Sequence, residues 1–158
     1  MFERFARSAR AAVEGARDEA ARRGDRRIGS EHLLIAVLAD DDLADQVGID
    51  AERAKSAADR LDQTALAAIG LELGDFHPTP HPAPLGNATY MTTGAKAVIR
   101  QSLAKAAAEK SRTITTRHML LALLERDAPD PAAALFAELD VTPEDLRARL
   151  RRPEARTA

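Results

Sequence analysis

Two short strings place reactive side chains at the start of helical patterns. The first is GSEHLLIAVL, Gly29 to Leu38, where Glu31 and His32 are adjacent. The second is TTRHMLLALL, Thr115 to Leu124, 86 positions later, where the His returns as His118 and Arg117 replaces the Glu. A carboxylate beside an imidazole suggests acid–base chemistry, which needs a partner within hydrogen-bond reach of the ring. Neighbouring helical residues do not face each other, so the dipeptide alone is no catalytic pair. The sequence offers no partner for either His. Two copies at one position, beside apolar residues, suggest a packing or hydrogen-bonding task for His32 and His118. Glu31 sits in a first helical turn, where the macrodipole favours a negative charge. That explains it structurally, and a ligand role stays open beside it. A carboxylate receives a guanidinium, whereas an Arg at position 117 repels one.

Other polar clusters carry less. His77 and His81 sit in HPTPH, whose prolines forbid the helix that would align them. Two His without Cys or nearby carboxylates fall short of a zinc site. No metal and no cofactor are expected. Arg22, Arg23, Arg26 and Arg27 form a basic cluster, read as a solvated turn or a contact for an acidic partner.

The elements that must hold these residues follow from periodicity. Phe5, Ala9, Ala12, Val13, Ala16 and Ala20 recur at helical steps, predicting a helix over 3–23 closed at Gly24. Ser30 is the expected N-cap of the next helix, with Leu33, Leu34, Val37 and Leu38 as its buried stripe. The DDD run at 40–42 ends that helix and caps a short one. Asp50 opens another, through Ala54, Ala57 and Leu61 toward Leu66. Thr142-Pro143-Glu144 starts a last helix that runs to about Arg151.

The second half repeats the first. At an offset of 86, Ile28, His32, Leu34, Ala36 and Leu38 fall on Ile114, His118, Leu120, Ala122 and Leu124. Later the offset becomes 92, through extra residues in the second half. The divisions expected are repeat one at 1–73, a Pro-rich linker at 74–88, repeat two at 89–152 and a charged tail at 153–158. The fold class is all-α: two four-helix repeats related by a pseudo-twofold axis, forming one compact bundle.

Composition agrees. Apolar residues make up 45% of the 158 and aromatics only 3%, so the core must be aliphatic. A net charge of -2 argues against nucleic acid as a partner. The absence of cysteine excludes disulfides and thiolate metal sites. MFERFARSAR lacks the apolar stretch of a signal peptide. No window approaches the roughly 18 apolar residues of a membrane span. A cytoplasmic protein with no membrane partner is expected.

The strings MFERFARSARAAV and IGSEHLLIAVL, with the second helix–His–helix unit, resemble the N-terminal domain of the Clp/Hsp100 unfoldases, of the ClpC type. The resemblance spans roughly residues 1–152. It implies a non-enzymatic module that receives substrates or adaptor proteins, or other peptide ligands, and passes them to an ATP-driven ring. It also implies, in some bacteria, binding of phosphorylated arginine, with the Glu of this string, here Glu31, holding the guanidinium. Related actinobacterial domains are targets of cyclic peptides. By that likeness Phe2 contacts such a ligand, with Met91 and Lys96 from the second repeat, while Phe5 adds apolar contact if exposed. The alternative function is an accessory or regulatory subunit of an ATP-dependent Clp protease complex, with a Clp ATPase as partner.

Departures from the family pattern are specific. No Walker A string, G-x-x-x-x-G-K-[ST], occurs in the 158 residues. A stand-alone or excised domain without the motor is therefore expected. Arg117 stands where the family commonly has Glu. Near the start of the first helix the family's Thr is Ala6, whereas Thr92 remains at the equivalent place in repeat two. The family's T-P-R-A-K reads Thr92-Thr93-Gly94-Ala95-Lys96, which lacks an Arg suited to phosphate.

Overall fold

The computed structural model describes residues 3–71 and 90–151. The expected linker and tail, and with them Phe2, His77 and His81, lie outside the described residues. Eight helices follow one another: α1 (Arg7–Arg22), α2 (Ser30–Val37), α3 (Asp41–Val47), α4 (Ala51–Ala68), α5 (Thr93–Ala108), α6 (Thr116–Leu123), α7 (Pro131–Glu138) and α8 (Pro143–Arg151). The described residues contain no strand, only two isolated β-bridges. None of their helices is long and apolar enough to cross a membrane.

The first helix starts later than its periodicity suggests. Phe5 lies outside it, in a bridge with Ile114, and is 2% exposed. At its other end Gly24 has φ +76°, and the Asp25 N–H donates to Ala20 O at 2.8 Å. This is the left-handed closure glycine permits without steric cost. Repeat two makes the same closure with Lys110 at φ +56°.

Ser30 is the first residue of α2, not its cap; Gly29 takes that place. α2 is buried all round except at Glu31, more than the expected stripe. A helix apolar on every face belongs inside. It packs on α1, α4, α5, α6 and α7. Leu33, Leu34 and Val37 are fully buried, each contributing about 1.5–3 kcal/mol on folding. Asp50 caps α4 by accepting from the Arg53 N–H at 2.8 Å, as its position predicts.

The repeats are interlaced, not merely stacked. Residues before α1 bridge those before α6, with Ala6 N–H to Ile114 O at 2.8 Å and Ile114 N–H to Arg4 O at 2.9 Å. The partner bridge joins the residues before α5 to those before α2. There Ile28 N–H reaches Tyr90 O at 2.8 Å and Thr92 N–H reaches Ile28 O at 2.9 Å. The three positions of one bridge, Arg4, Ala6 and Ile114, match Tyr90, Thr92 and Ile28 of the other, exchanged by the pseudo-twofold axis. The later helices also cross, α3 packing on α8 and α4 on α7.

Candidate functional site

The His of each repeat is held at both ring nitrogens. Gly29 N–H donates to His32 Nδ1 at 2.8 Å, and Thr115 N–H donates to His118 Nδ1 at 3.0 Å. These bonds satisfy a backbone donor at each helix start. They also place the ring proton on Nε2, which faces a carboxylate: Asp25 Oδ2 at 2.8 Å for His32, Glu109 Oε2 at 2.8 Å for His118. Both rings are almost wholly buried. The sequence hid these carboxylates because they do not repeat in register. Asp25 falls on Ser111, and Glu109 falls on Arg23. With both nitrogens engaged, neither ring keeps a lone pair for acid–base work.

Glu31 folds back over Gly29. A Cβ on Gly29 would lie 2.2 Å from Glu31 Oε2, so the absence of a side chain there gives the carboxylate its seat. Glu31 Oε1 is 3.7 Å from His32 Nε2, and Oε2 is buried without a hydrogen-bond partner. Ligand atoms of Asp25, Glu31 and His32 all fall within 4.8 Å of one another. A metal would need the Nε2 lone pair, and the Gly29 N–H bond puts a proton there instead. The cluster therefore suits a hydrogen-bonding cation better than a metal ion.

Arg117 pairs with an acid of its own repeat. Its Nη1 lies 2.7 and 3.0 Å from the two Glu109 oxygens. That hydrogen bond draws the Glu109 carboxyl below its ordinary range; partial burial opposes the shift and His118 adds to it. The basic cluster is likewise divided. Arg23 is pinned to Asp59 at 2.8 Å and to Asp62, joining α1 to α4, rather than solvated. Arg22 pairs with the buried Glu19, while Arg26 and Arg27 are exposed.

The bridges decide which residues stand together. Met91 and Thr92 lie beside Ile28, three residues before Glu31, and α5 packs on α2. Ala6 lies beside Ile114, three residues before Arg117, and α1 packs on α6. Thr92 caps α5 by accepting from the Ala95 N–H at 3.1 Å, and Lys96 in its first turn is exposed. A Cβ on Gly94 would lie 2.8 Å from Asp130 Oδ2 and 3.9 Å from Arg126 Nη2. Arg126 therefore brings a guanidinium to the place where position 94 lacks one, held by Asp130 at 2.9 Å. Asp130 in turn accepts from Ser30, next to Glu31.

Phe5 and Met91 are not surface contacts. They are 2% and 5% exposed and serve as the bridge residues of the two repeats. An apolar ligand meets neither. A separate groove of about 470 Å³ lies between α1, α2 and α4, lined by Gly15, Ala36 and Arg22 of the basic cluster but by none of the ligand-binding candidates.

The model of the Clp repeat (R) N-terminal domain matches residues 4–70 and again 90–157. The chain belongs to this family. No curated protein matches the chain. Among solved structures, this Clp repeat domain is similar to the N-terminal domain of the chaperone ClpD from Arabidopsis thaliana. The identity is 19%, with 95% of this chain and 94% of that one covered and a TM-score of 0.69. It is similar also to the Hsp104 N-terminal domain from Candida albicans, at 16% identity, 94% and 89% coverage and a TM-score of 0.66. A third similar structure is the N-terminal domain of the ClpV1 ATPase from E. coli, at 18% identity, 93% and 83% coverage and a TM-score of 0.58. At these identities the likeness concerns the fold.

Proposed function

We propose that this Clp repeat domain is a non-enzymatic docking module that receives arginine-bearing segments of substrate or adaptor proteins. The seat is built at the junction of α2 and α5. Glu31 and Asp25 take the guanidinium, and phosphoarginine is the form that uses the whole junction. Its phosphate faces the α5 N-terminus, whose free N–H groups and dipole favour an anion, with the Arg126 guanidinium next to Gly94 of the first turn. His32 and His118 are structural, tying each helix start to the turn before it.

The observation that carries this is the crossing of the bridges. Thr92 N–H to Ile28 O, at 2.9 Å, sets the family-like α5 cap beside Ile28, three residues before the family-like Glu31. The two altered positions, Ala6 and Arg117, are grouped at the other junction. Membership of a family of docking domains agrees with the same conclusion.

Calorimetry with free phosphoarginine tests it. One site is expected in the wild type and none in Glu31→Gln. Two equal sites, or an unaltered isotherm in Glu31→Gln, would overturn it.

A further inference from the structure

In repeat one, Asp25 and Glu31 converge on His32 Nε2, and among the described residues no Lys or Arg pairs with either. In repeat two the position of Glu31 belongs to Arg117. Its Nη1 sits on both Glu109 oxygens, and Glu109 Oε2 stays on His118 Nε2. The His–carboxylate platform is the same, and here it carries a guanidinium that the chain itself supplies.

We infer that Arg117 is a tethered ligand: it fills the repeat-two counterpart of the guanidinium seat, and Glu109 with His118 is a latent second site for guanidinium-bearing ligands. The ligand class rests on the proposed role of Glu31; the geometry belongs to repeat two alone. Arg117 is more than a repelling charge, because it occupies the seat.

The hold is modest by construction. One nitrogen spans both oxygens, where the strongest pairs use two parallel N–H bonds. The Arg117 side chain is 34% exposed and that of Glu109 is 42% exposed, so solvent screens the pair and a small cation has access to the carboxylate. A second contact, Nε to Leu150 O at 3.4 Å, is long. What keeps the seat closed is the tether, which presents the guanidinium at an effective concentration on the order of millimolar or above.

The test titrates methylguanidinium chloride, at constant ionic strength, into the isotope-labelled full chain and follows backbone amide shifts. In the wild type, saturable shifts are expected at Gly29 to His32 and none at Glu109, Thr115 and His118. In Arg117→Ala both groups respond, with repeat-two affinity at least about ten-fold above the wild type. Adding Glu109→Gln to Arg117→Ala removes the repeat-two response. Arg117→Gln, which keeps the aliphatic stem, serves the same comparison should the alanine variant unfold. A repeat-two response no greater than that of the wild type in a folded variant overturns the inference, whatever repeat one does. A silent repeat one in both proteins, with a gained repeat-two response, refutes the Glu31 seat and leaves the tethered ligand standing.

Discussion

Thr116 Oγ1 donates to Asp40 Oδ2 at 2.6 Å, joining the first turn of α6 in repeat two to the N-cap residue of α3 in repeat one. Ser30 makes the mirror contact with Asp130, the N-cap of α7. Each central helix thus fastens a peripheral helix of the other repeat through a nearly buried hydroxyl. Thr116→Val keeps the shape and deletes the donor. A hydrogen bond to a charged group contributes about 1.5–3 kcal/mol, so a loss of that size is expected in urea denaturation. A change below about 0.5 kcal/mol would mean that water replaces the hydroxyl without cost.

Glu109 supplies a pH dependence whose sign is settled. Its carboxyl is lowered from the ordinary 4.5, first by the hydrogen bond from Arg117. A group with a depressed folded pKa adds stability that is present above the unfolded value and lost as pH falls through the folded one. The chain should therefore lose stability on acidification below about pH 4.5, and Glu109→Gln should lose less over the same range. Equal losses in the two proteins, from denaturation curves at pH 7 and pH 3, would assign the acid sensitivity to other carboxylates.

Gly29 is a steric permit for Glu31. Its φ of -95° suits any residue, so alanine brings no backbone strain. The new methyl would claim the space of the Glu31 carboxylate, which can swing away because it ends a flexible side chain. Gly29→Ala is expected to change stability by less than about 1 kcal/mol and to weaken phosphoarginine binding in calorimetry. Unaltered affinity would show that the folded-back carboxylate is not the binding form.

Lys110 has the conformation for which Gly24 is suited, at φ +56°. A β-carbon in that region costs about 1 kcal/mol, and the residue sits past a helix end, where glycine carries no helix penalty. Lys110→Gly should raise the unfolding free energy by roughly 0.5–1 kcal/mol. A lower melting temperature would show that the added freedom of the unfolded chain outweighs the relief.

Much of the scaffold is legible in the one-dimensional pattern. Helix steps from Ala9 to Ala20, the turn at Gly24, the cap at Asp50 and the return of Ile28 and His32 as Ile114 and His118 depend on neighbours a few residues apart. Such local rules survive in a string of letters. The contrast of Glu31 with Arg117 was visible for the same reason. The bridging role that buries Phe5 and Met91 was not, because both close β-bridges to segments of the other repeat.

By itself, then, the sequence determined an all-helical duplication, the paired His positions and the one charge reversal between the halves. Only the tertiary structure decided which segments of the two repeats meet. It set Thr92 beside the Glu31 segment and Ala6 beside the Arg117 segment, gave His32 and His118 carboxylates from unmatched positions, and turned Ser30 from a cap into a link between repeats. The physical reason is the interlacing. Backbone pairs such as Ile28 with Thr92 are long-range, and no local propensity encodes which of two like edges a strand-like segment will join.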